Sequence, residues 1–266
     1  MSAGPPGAQE SGDAGEAGGD AITADALRAG RVRIFQPARG ARMSLDPVLL
    51  EGFLAPPHGR FLDIGCGSGA LSFLLLARDP AATGVGVELQ PRLAALAVRG
   101  RDANGWQQRL EIVVGDARDL RNVGRDTRIA AASFDLVATN PPYRTVAGSR
   151  RPPDDERALA HLEVALALAD WVAFAARAVR PGGRVAAIFP AERAVDLLAE
   201  LRARDLNPIR LRPVHPRAGE PAARVLVEAE RGAGRGSRPF VLEPALVLHA
   251  DGARYTPEVL RMLDEA

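Results

Sequence analysis

Four short segments that carry chemically useful side chains recur at regular intervals through the middle of the chain. They begin at Asp63, Glu88, Asp116 and Asn140, and each directly follows a short apolar run typical of a buried strand. The intervals between them are 25, 28 and 24 residues, each about the length of one strand and one helix. Because ligands bind outside the carboxyl ends of the strands in open α/β sheets, we expect the four segments to line one rim.

The first segment is a glycine-rich turn, Asp63-Ile64-Gly65-Cys66-Gly67-Ser68-Gly69. Its glycines let the backbone turn tightly and let a ligand approach without a Cβ in the way, and the following helix presents its amino end. Counted with Ala70, the turn fits the dinucleotide fingerprint, and Glu88 lies where the ribose-binding acid is expected. These two segments are compatible with either NAD or S-adenosylmethionine as the bound ligand. Asp116 favours the second, because it can accept a hydrogen bond from an adenine amine, a role absent from the dinucleotide fingerprint.

The fourth segment, Asn140-Pro141-Pro142-Tyr143, indicates a planar amine as the substrate. Two prolines fix the backbone and remove two amide donors, so the carbonyl oxygens of Asn140 and Pro141 should face the cleft as acceptors. Acceptors that hold the hydrogens of a planar NH2 group leave its lone pair directed at an electrophilic methyl group. Tyr143 offers a ring for stacking, which is worth about 1 to 3 kcal/mol for a nucleobase.

From residue 60 onward, predicted strands and helices alternate as in an open, mainly parallel sheet covered on both faces. The predicted strands are 60–65, 83–88, 110–115, 134–139, 184–189, 208–214 and 224–230. The predicted helices are 70–78, 91–103, 155–179, 192–204 and 257–263. No helix fits between the last two strands, so they should pair antiparallel. The expected class is α/β, Rossmann-like, with a mainly parallel seven-stranded sheet and an antiparallel edge pair.

Composition divides the chain into four expected parts. Residues 1–20 hold four acids and no base among Gly, Ala and Pro, and should not order by themselves. Residues 21–55 should form a basic hairpin and a helix that act as a lid, with Asp46 before Pro47 as the helix N-cap. Residues 56–231 should form the cofactor-binding domain, and residues 232–266 a C-terminal appendage.

Several classes of chemistry are excluded by composition. The chain contains no lysine, which excludes a P-loop, a Schiff-base enzyme and a lysine general base. The four histidines are too scattered for a metal motif, and the single cysteine, Cys66, cannot form a disulfide within the chain. The amino terminus lacks a secretory signal, and the longest uncharged run is too short to span a bilayer. We therefore expect a cytoplasmic protein with no metal and no membrane segment.

These motifs together resemble the class I S-adenosylmethionine-dependent methyltransferases that methylate amines, which implies their Rossmann-like fold and their cofactor. The resemblance implies that the turn holds the methionine end of the cofactor, through Asp63, Gly65, Gly67 and Gly69. It assigns Glu88 to the ribose hydroxyls and Asp116 to the adenine. The target amine would be held by Asn140, Pro141, Pro142 and Tyr143, with Asn140 also counted among the cofactor-binding residues.

Additional segments narrow the resemblance to the bacterial tRNA (adenine-N6)-methyltransferases that modify the adenosine beside the anticodon of a valine tRNA. These segments are Gln36-Pro37, 42–50, 210–230 and Tyr255-Thr256-Pro257-Glu258. The resemblance spans about residues 28–263 and implies tRNA as the partner, with arginines where such enzymes carry lysines. The candidate contacts to RNA phosphates are Arg31, Arg33, Arg42, Arg150, Arg151 and Arg217.

The expected reaction is an in-line displacement by adenine N6 that needs no strong base, since the amine loses its proton after it becomes cationic. Protein glutamine methyltransferases also use an Asn-Pro-Pro-Tyr segment, because a glutamine amide is a planar NH2 group as well. They carry a separate helical domain ahead of the sheet, for which only about 35 residues are available here. An RNA guanine-N2 methyltransferase is chemically close and stays open. An NAD-binding oxidoreductase would leave Asn140 to Tyr143 unused, and a non-catalytic RNA-binding module would not explain the four aligned segments.

Overall fold

The computed structural model describes residues 21–39, 42–117, 127–141, 168–232 and 238–265. Within these residues the chain forms eleven strands and six α-helices. The strands are β1 (Ile22–Leu27), β2 (Val32–Pro37), β3 (Arg60–Ile64), β4 (Thr83–Glu88), β5 (Leu110–Val114), β6 (Phe134–Thr139), β7 (Val179–Pro190), β8 (Leu206–Arg217), β9 (Arg224–Arg231), β10 (Val241–Leu242) and β11 (Leu246–His249). The helices are α1 (Asp46–Phe53), α2 (Ala70–Arg78), α3 (Pro91–Ala103), α4 (Leu168–Ala178), α5 (Ala194–Ala203) and α6 (Pro257–Glu265).

A large sheet runs through the molecule in the order β10–β8–β9–β7–β6–β3–β4–β5, and β11 pairs with β8 as well. Strands β3 to β7 pair in parallel, whereas β9 is antiparallel to both β7 and β8. The predicted α/β class, with seven main strands and an antiparallel pair, is confirmed. The C-terminal residues extend the sheet beyond β8 through the short parallel strands β10 and β11.

Helices cover both faces of this sheet, as the alternating pattern predicts. On one face, α4 and α5 pack through Trp171, Phe174 and Leu201 against the buried side of the strands. On the opposite face, α1, α2 and the β1–β2 hairpin share a second core, which includes Leu50, Phe73 and, from the hairpin, Ile34. The hairpin is therefore an integral part of the folded unit, because its inward side chains complete that core.

Three local expectations need correction or remain outside the description. The helix after Ser44 starts with Leu45 as its N-cap residue and has no side-chain cap hydrogen bond, so the prediction of Asp46 as the cap was wrong. Asp46 lies inside the first turn and forms an ion pair with Arg224 at 3.5 Å. The predicted helix 155–179 is described only from Leu168, where it continues to Ala178. The tail 1–20 lies outside the described residues.

Candidate active site

The carboxyl ends of β6, β3, β4 and β5 are neighbours at one edge of the sheet. Each of the four segments singled out in the sequence follows one of these strands. Two bonds hold the strand ends together. The Thr139 hydroxyl at the end of β6 donates to the Ile64 carbonyl of β3 at 2.8 Å, and the Gly115 amide after β5 donates to the Glu88 carbonyl of β4 at 2.9 Å. The segments are therefore side by side on one rim.

The glycine turn between β3 and α2 is fixed by the neighbouring strand β4. The amides of Gly65 and Cys66 donate to the Val87 carbonyl at 2.8 and 3.0 Å. Gly67 has a φ of 55°, and an added Cβ would meet no heavy atom of a described residue within 4 Å. Gly69 has a φ of 95°, and there a Cβ would lie 2.6 Å from the Phe73 ring. Gly69 is thus required for packing, whereas Gly67 leaves room for a ligand.

Glu88 ends β4 with a carboxylate that is only 6% exposed. One oxygen, Oε2, accepts from the Gly67 amide at 2.8 Å, and the other, Oε1, accepts from the Gln90 amide at 2.8 Å. Burial raises the pKa of Glu88, although these backbone donors act in the opposite direction. The carboxylate is therefore held in one orientation and ties the glycine turn to β4.

Asp63 lies beneath the turn and is 1% exposed. Its Oδ2 atom accepts from both the backbone amide and the hydroxyl of Ser72 in α2, at 3.1 and 2.7 Å. Burial raises the pKa of Asp63 to about 7. The side chain fastens α2 to β3, so we assign it to holding the turn in place, and a direct contact with the cofactor stays a prediction.

The substrate side of the rim is described only in part. Asn140 follows β6 directly and is half-buried, and Pro141 is buried. Asp116 lies two residues beyond β5 and is half-buried as well. Pro142 and Tyr143 lie outside the described residues, so their predicted roles stay predictions.

Apolar side chains that the sequence reasoning missed also lie on this rim. Leu89, directly after Glu88, is 40% exposed, and Val114 at the end of β5 is 55% exposed. For Leu89, a large apolar residue directly after the last residue of a strand was the available signal, whereas Val114 is itself the last residue of β5. Exposed apolar groups beside a polar cleft are typical of a ligand site.

The candidate RNA-binding arginines fall into different environments. Arg31 and Arg33 are exposed on the β1–β2 hairpin. Arg42 forms an ion pair with Asp25 at 2.9 Å, and Arg217 pairs with Glu220 at 3.4 Å with half of its side chain exposed. Arg150 and Arg151 lie outside the described residues.

Over residues 21–39, 42–117, 127–141, 168–232 and 238–265, histidine, cysteine and carboxylate side chains form no group of three or more that could hold a metal ion. No helix in these ranges is long and apolar enough to cross a membrane.

Comparisons with known proteins agree with the geometry. Residues 44–152 match the family described as the methyltransferase small domain. A tRNA1(Val) (adenine(37)-N6)-methyltransferase from Porphyromonas gingivalis is 30% identical over 242 residues, which cover 88% of this chain and 91% of that protein. A release factor glutamine methyltransferase from Rhodospirillum rubrum is 38% identical over 117 residues, but these cover 41% of this chain and 33% of that protein.

A solved structure described as a predicted O-methyltransferase from Agrobacterium tumefaciens shares the fold, with a TM-score of 0.66 at 23% sequence identity. The superposition covers 83% of this chain and 96% of that one. The rim geometry, the family match and the near full-length relative agree with one another. The chain belongs to the tRNA1(Val) (adenine(37)-N6)-methyltransferase family, whose members depend on S-adenosylmethionine as the methyl donor.

Proposed function

We propose that this chain transfers a methyl group from S-adenosylmethionine to the exocyclic N6 atom of an adenine in tRNA. The observation that carries the proposal is the position of Asn140 and Pro141 at the carboxyl end of β6, the strand next to the glycine turn. A relative that is aligned over most of both chains is named for adenine 37 of tRNA1(Val), and this supports the same acceptor here.

The residues on the rim fit the cofactor. The glycine turn would admit the methionine end, because no heavy atom of the described residues lies within 4 Å of where a Cβ on Gly65 or Gly67 would project. The Glu88 carboxylate accepts from the backbone N–H groups of Gly67, Gln90 and Leu89, and its two oxygens together keep capacity for a ribose hydroxyl. Leu89 and Val114 would flank the adenine ring, and Asp116 would accept from its amine.

When bound, S-adenosylmethionine supplies an electrophilic methyl group on a sulfonium sulfur. Asn140 and Pro141 then hold the two N6 hydrogens through oxygen acceptors, which directs the nitrogen lone pair at the methyl carbon. Displacement at that methyl group would leave the cofactor as a neutral thioether, and the cationic N6 would then release one of the protons held by these acceptors to water. Positioning and aligned acceptors provide the acceleration, so no strong base is required. The target adenine must leave its stack to reach this site, which costs least in a single-stranded loop.

Methyl-labelled cofactor incubated with total tRNA, followed by nucleoside analysis, tests the function. We expect the label in N6-methyladenosine. Parallel incubation with a total protein extract provides the comparison, because the glutamine methyltransferase match makes a protein amide the competing acceptor. Label in N2-methylguanosine, or in protein glutamine and not in tRNA, would overturn the proposal.

A further inference from the structure

Exposed arginines that lack an acidic partner gather on one side of the molecule, on the β1–β2 hairpin and the adjacent helix α3. We call this area the hairpin–helix surface and define it by Arg31, Arg33, Arg39 and Arg99, all of which are exposed. None of the four forms an ion pair with a described residue. The hairpin and α3 contain two acidic residues, and each forms an ion pair with another arginine: Asp25 with Arg42, and Asp102 with Arg101. The surface therefore carries a strong net positive charge, although the whole chain has a net charge of only +1.

The hairpin is attached to α3 by specific contacts. The Asn104 side chain accepts from the Arg33 amide at 2.9 Å and donates to the Arg33 carbonyl at 2.7 Å, as a neighbouring strand would. The guanidinium of Arg99 stacks over the Phe35 ring with its carbon 4.1 Å from the ring centroid. Ile34 between these contacts is fully buried. These contacts therefore hold β2 and α3, which carry Arg33 and Arg99, in a fixed position relative to each other.

These contacts also set the direction of the surface. Arg33 lies beside the end of α3, Phe35 lies beside Arg99 about one turn earlier, and α3 starts at the rim directly after Glu88 and its two following residues. Arg99 lies eight residues after Pro91, so about 12 Å of α3 separates the hairpin–helix surface from the rim at the end of β4. Strand β4 is two positions from β6 in the sheet, which adds about 10 Å to the Asn140 strand.

The outward side of the hairpin allows a bulky chain to approach the arginines. The register places Ala26 opposite Arg33 and Ala24 opposite Phe35, and both alanines are exposed. Small side chains thus flank the charged and aromatic groups on this face. Guanidinium groups beside an aromatic ring and without competing acids suit a polyanion with planar bases.

We propose that the hairpin–helix surface binds the phosphate backbone of the RNA stem that carries the target adenosine, while the loop of that stem reaches over the rim to Asn140. This inference rests on the proposed function and adds the face on which the RNA lies. It also separates Arg31 and Arg33 from Arg42, whose guanidinium is held by Asp25, Thr23 and the Pro37 carbonyl and serves to fix the segment after β2.

The test compares two triple variants that remove the same charge. The first is Arg31→Gln/Arg33→Gln/Arg99→Gln. The matched control is Arg202→Gln/Arg204→Gln/Arg238→Gln, which changes exposed arginines at the end of α5 and after β9. Total tRNA is the probe, and affinity is measured between about 50 and 200 mM salt, the range in which phosphate contacts weaken steeply. The affinity for S-adenosylmethionine and the free energy of unfolding are measured on the same proteins.

For the first variant we expect the tRNA dissociation constant and the KM for tRNA to rise at least about tenfold. The slope of log affinity against log salt should fall by about 2, since each phosphate contact contributes about 0.7 to 0.9. Cofactor affinity and kcat at saturating tRNA should stay unchanged, and the control variant should match the wild type. A double variant, Arg31→Gln/Arg33→Gln, keeps the Arg99–Phe35 contact and should show about two thirds of the change in slope.

Two results would overturn the assignment in different ways. If the wild type methylates adenine in tRNA and both triple variants bind tRNA equally well, the hairpin–helix surface is not the RNA-binding face. If the wild type neither binds nor methylates tRNA, the proposed function fails, and the surface assignment fails with it.

Discussion

Arginines are paired with buried carboxylates in one region and exposed in another on the same face of the sheet. Around α1, four arginines surround two buried carboxylates. Glu51 accepts from Arg28 and Arg78 at 3.3 and 3.1 Å, and it is 1% exposed. On the hairpin–helix surface the arginines are exposed and have no acidic partner among the described residues.

The second carboxylate of the α1 region is Glu228 in β9, with a side chain 3% exposed. It pairs with Arg184 and Arg210 at 3.1 and 2.5 Å. These arginines reach on to the backbone of the α1 end, where Arg210 donates to the Phe53 carbonyl and Arg184 to the Pro57 carbonyl, each at 2.7 Å. In a chain without lysine, the same residue type thus fixes α1 where acids are buried and remains available for a ligand where they are absent.

The largest expected effect is on the α1 region. Glu228→Ala would leave two mostly buried guanidinium groups without their shared carboxylate. We expect the free energy of unfolding to fall by about 3 kcal/mol, because breaking a buried pair leaves an uncompensated charge, and among the acids of the described residues Arg210 would keep Glu243 alone. Urea unfolding measures the change. A loss below about 1 kcal/mol would show that the paired arginines do not hold α1.

A pH-dependent effect should follow in the same region. Burial lowers the pKa of His58 to about 4, and the nearby Arg184, Arg78 and Arg28 add to this, whereas Asp79 acts in the opposite direction. His58 therefore takes up a proton near pH 6.5 in the unfolded chain, whereas in the folded chain it stays neutral down to about pH 4. Because the unfolded state binds more protons, the free energy of unfolding falls as the pH falls over this range. We expect a loss of about 2 kcal/mol from pH 7.5 to pH 5.

The matched variant for this effect is His58→Gln, which removes the titrating group. The difference in unfolding free energy between wild type and variant should decrease as the pH drops over this range. A difference that is independent of pH would contradict the neutral, buried state of His58.

A smaller effect is expected where the hairpin meets α3. Asn104→Ala removes the two hydrogen bonds to the Arg33 backbone and one to the Gly100 carbonyl. Because Asn104 is only half-buried, we expect a loss of about 1 kcal/mol in stability, with faster amide exchange in β2. The KM for tRNA should rise although no charge is lost. An unchanged KM would show that the orientation of the hairpin does not matter for RNA.

The smallest effect on stability is expected for the exposed arginines themselves. Arg33→Gln should change the free energy of unfolding by less than about 0.5 kcal/mol, because its guanidinium forms no ion pair with a described residue and its backbone bonds remain. Thermal unfolding at low salt checks this. A loss comparable to that of Glu228→Ala would erase the contrast between the two regions.

Local patterns allowed most of the sheet to be predicted. The bounds of α2, β4, α3 and β6 agree with the prediction to the residue, since each has an apolar run with clear turn residues at its ends. The hairpin within residues 21–55 was predicted, but the bounds of β1 were not, because β1 contains no fully buried residue and its pairing with β2 defines it.

The position of the candidate site in the fold could be predicted from the sequence, but the partners of its side chains could not. Regular spacing indicated the shared rim, but the direct partner of Asp63 is Ser72, nine residues away on the next helix. The role of Arg42 depends on Asp25, 17 residues earlier on β1, a strand whose bounds were not predicted. Such pairings are set by tertiary packing, which spacing along the chain does not reveal.

The central claim is that Asn140 holds the reacting amine, and a single-turnover measurement on Asn140→Ala tests it most directly. With saturating S-adenosylmethionine and tRNA, we expect methyl transfer to slow about a hundredfold or more, by analogy with the loss of one hydrogen bond made in a transition state. The dissociation constant of the cofactor should match that of the wild type. A transfer rate equal to that of the wild type would contradict the account.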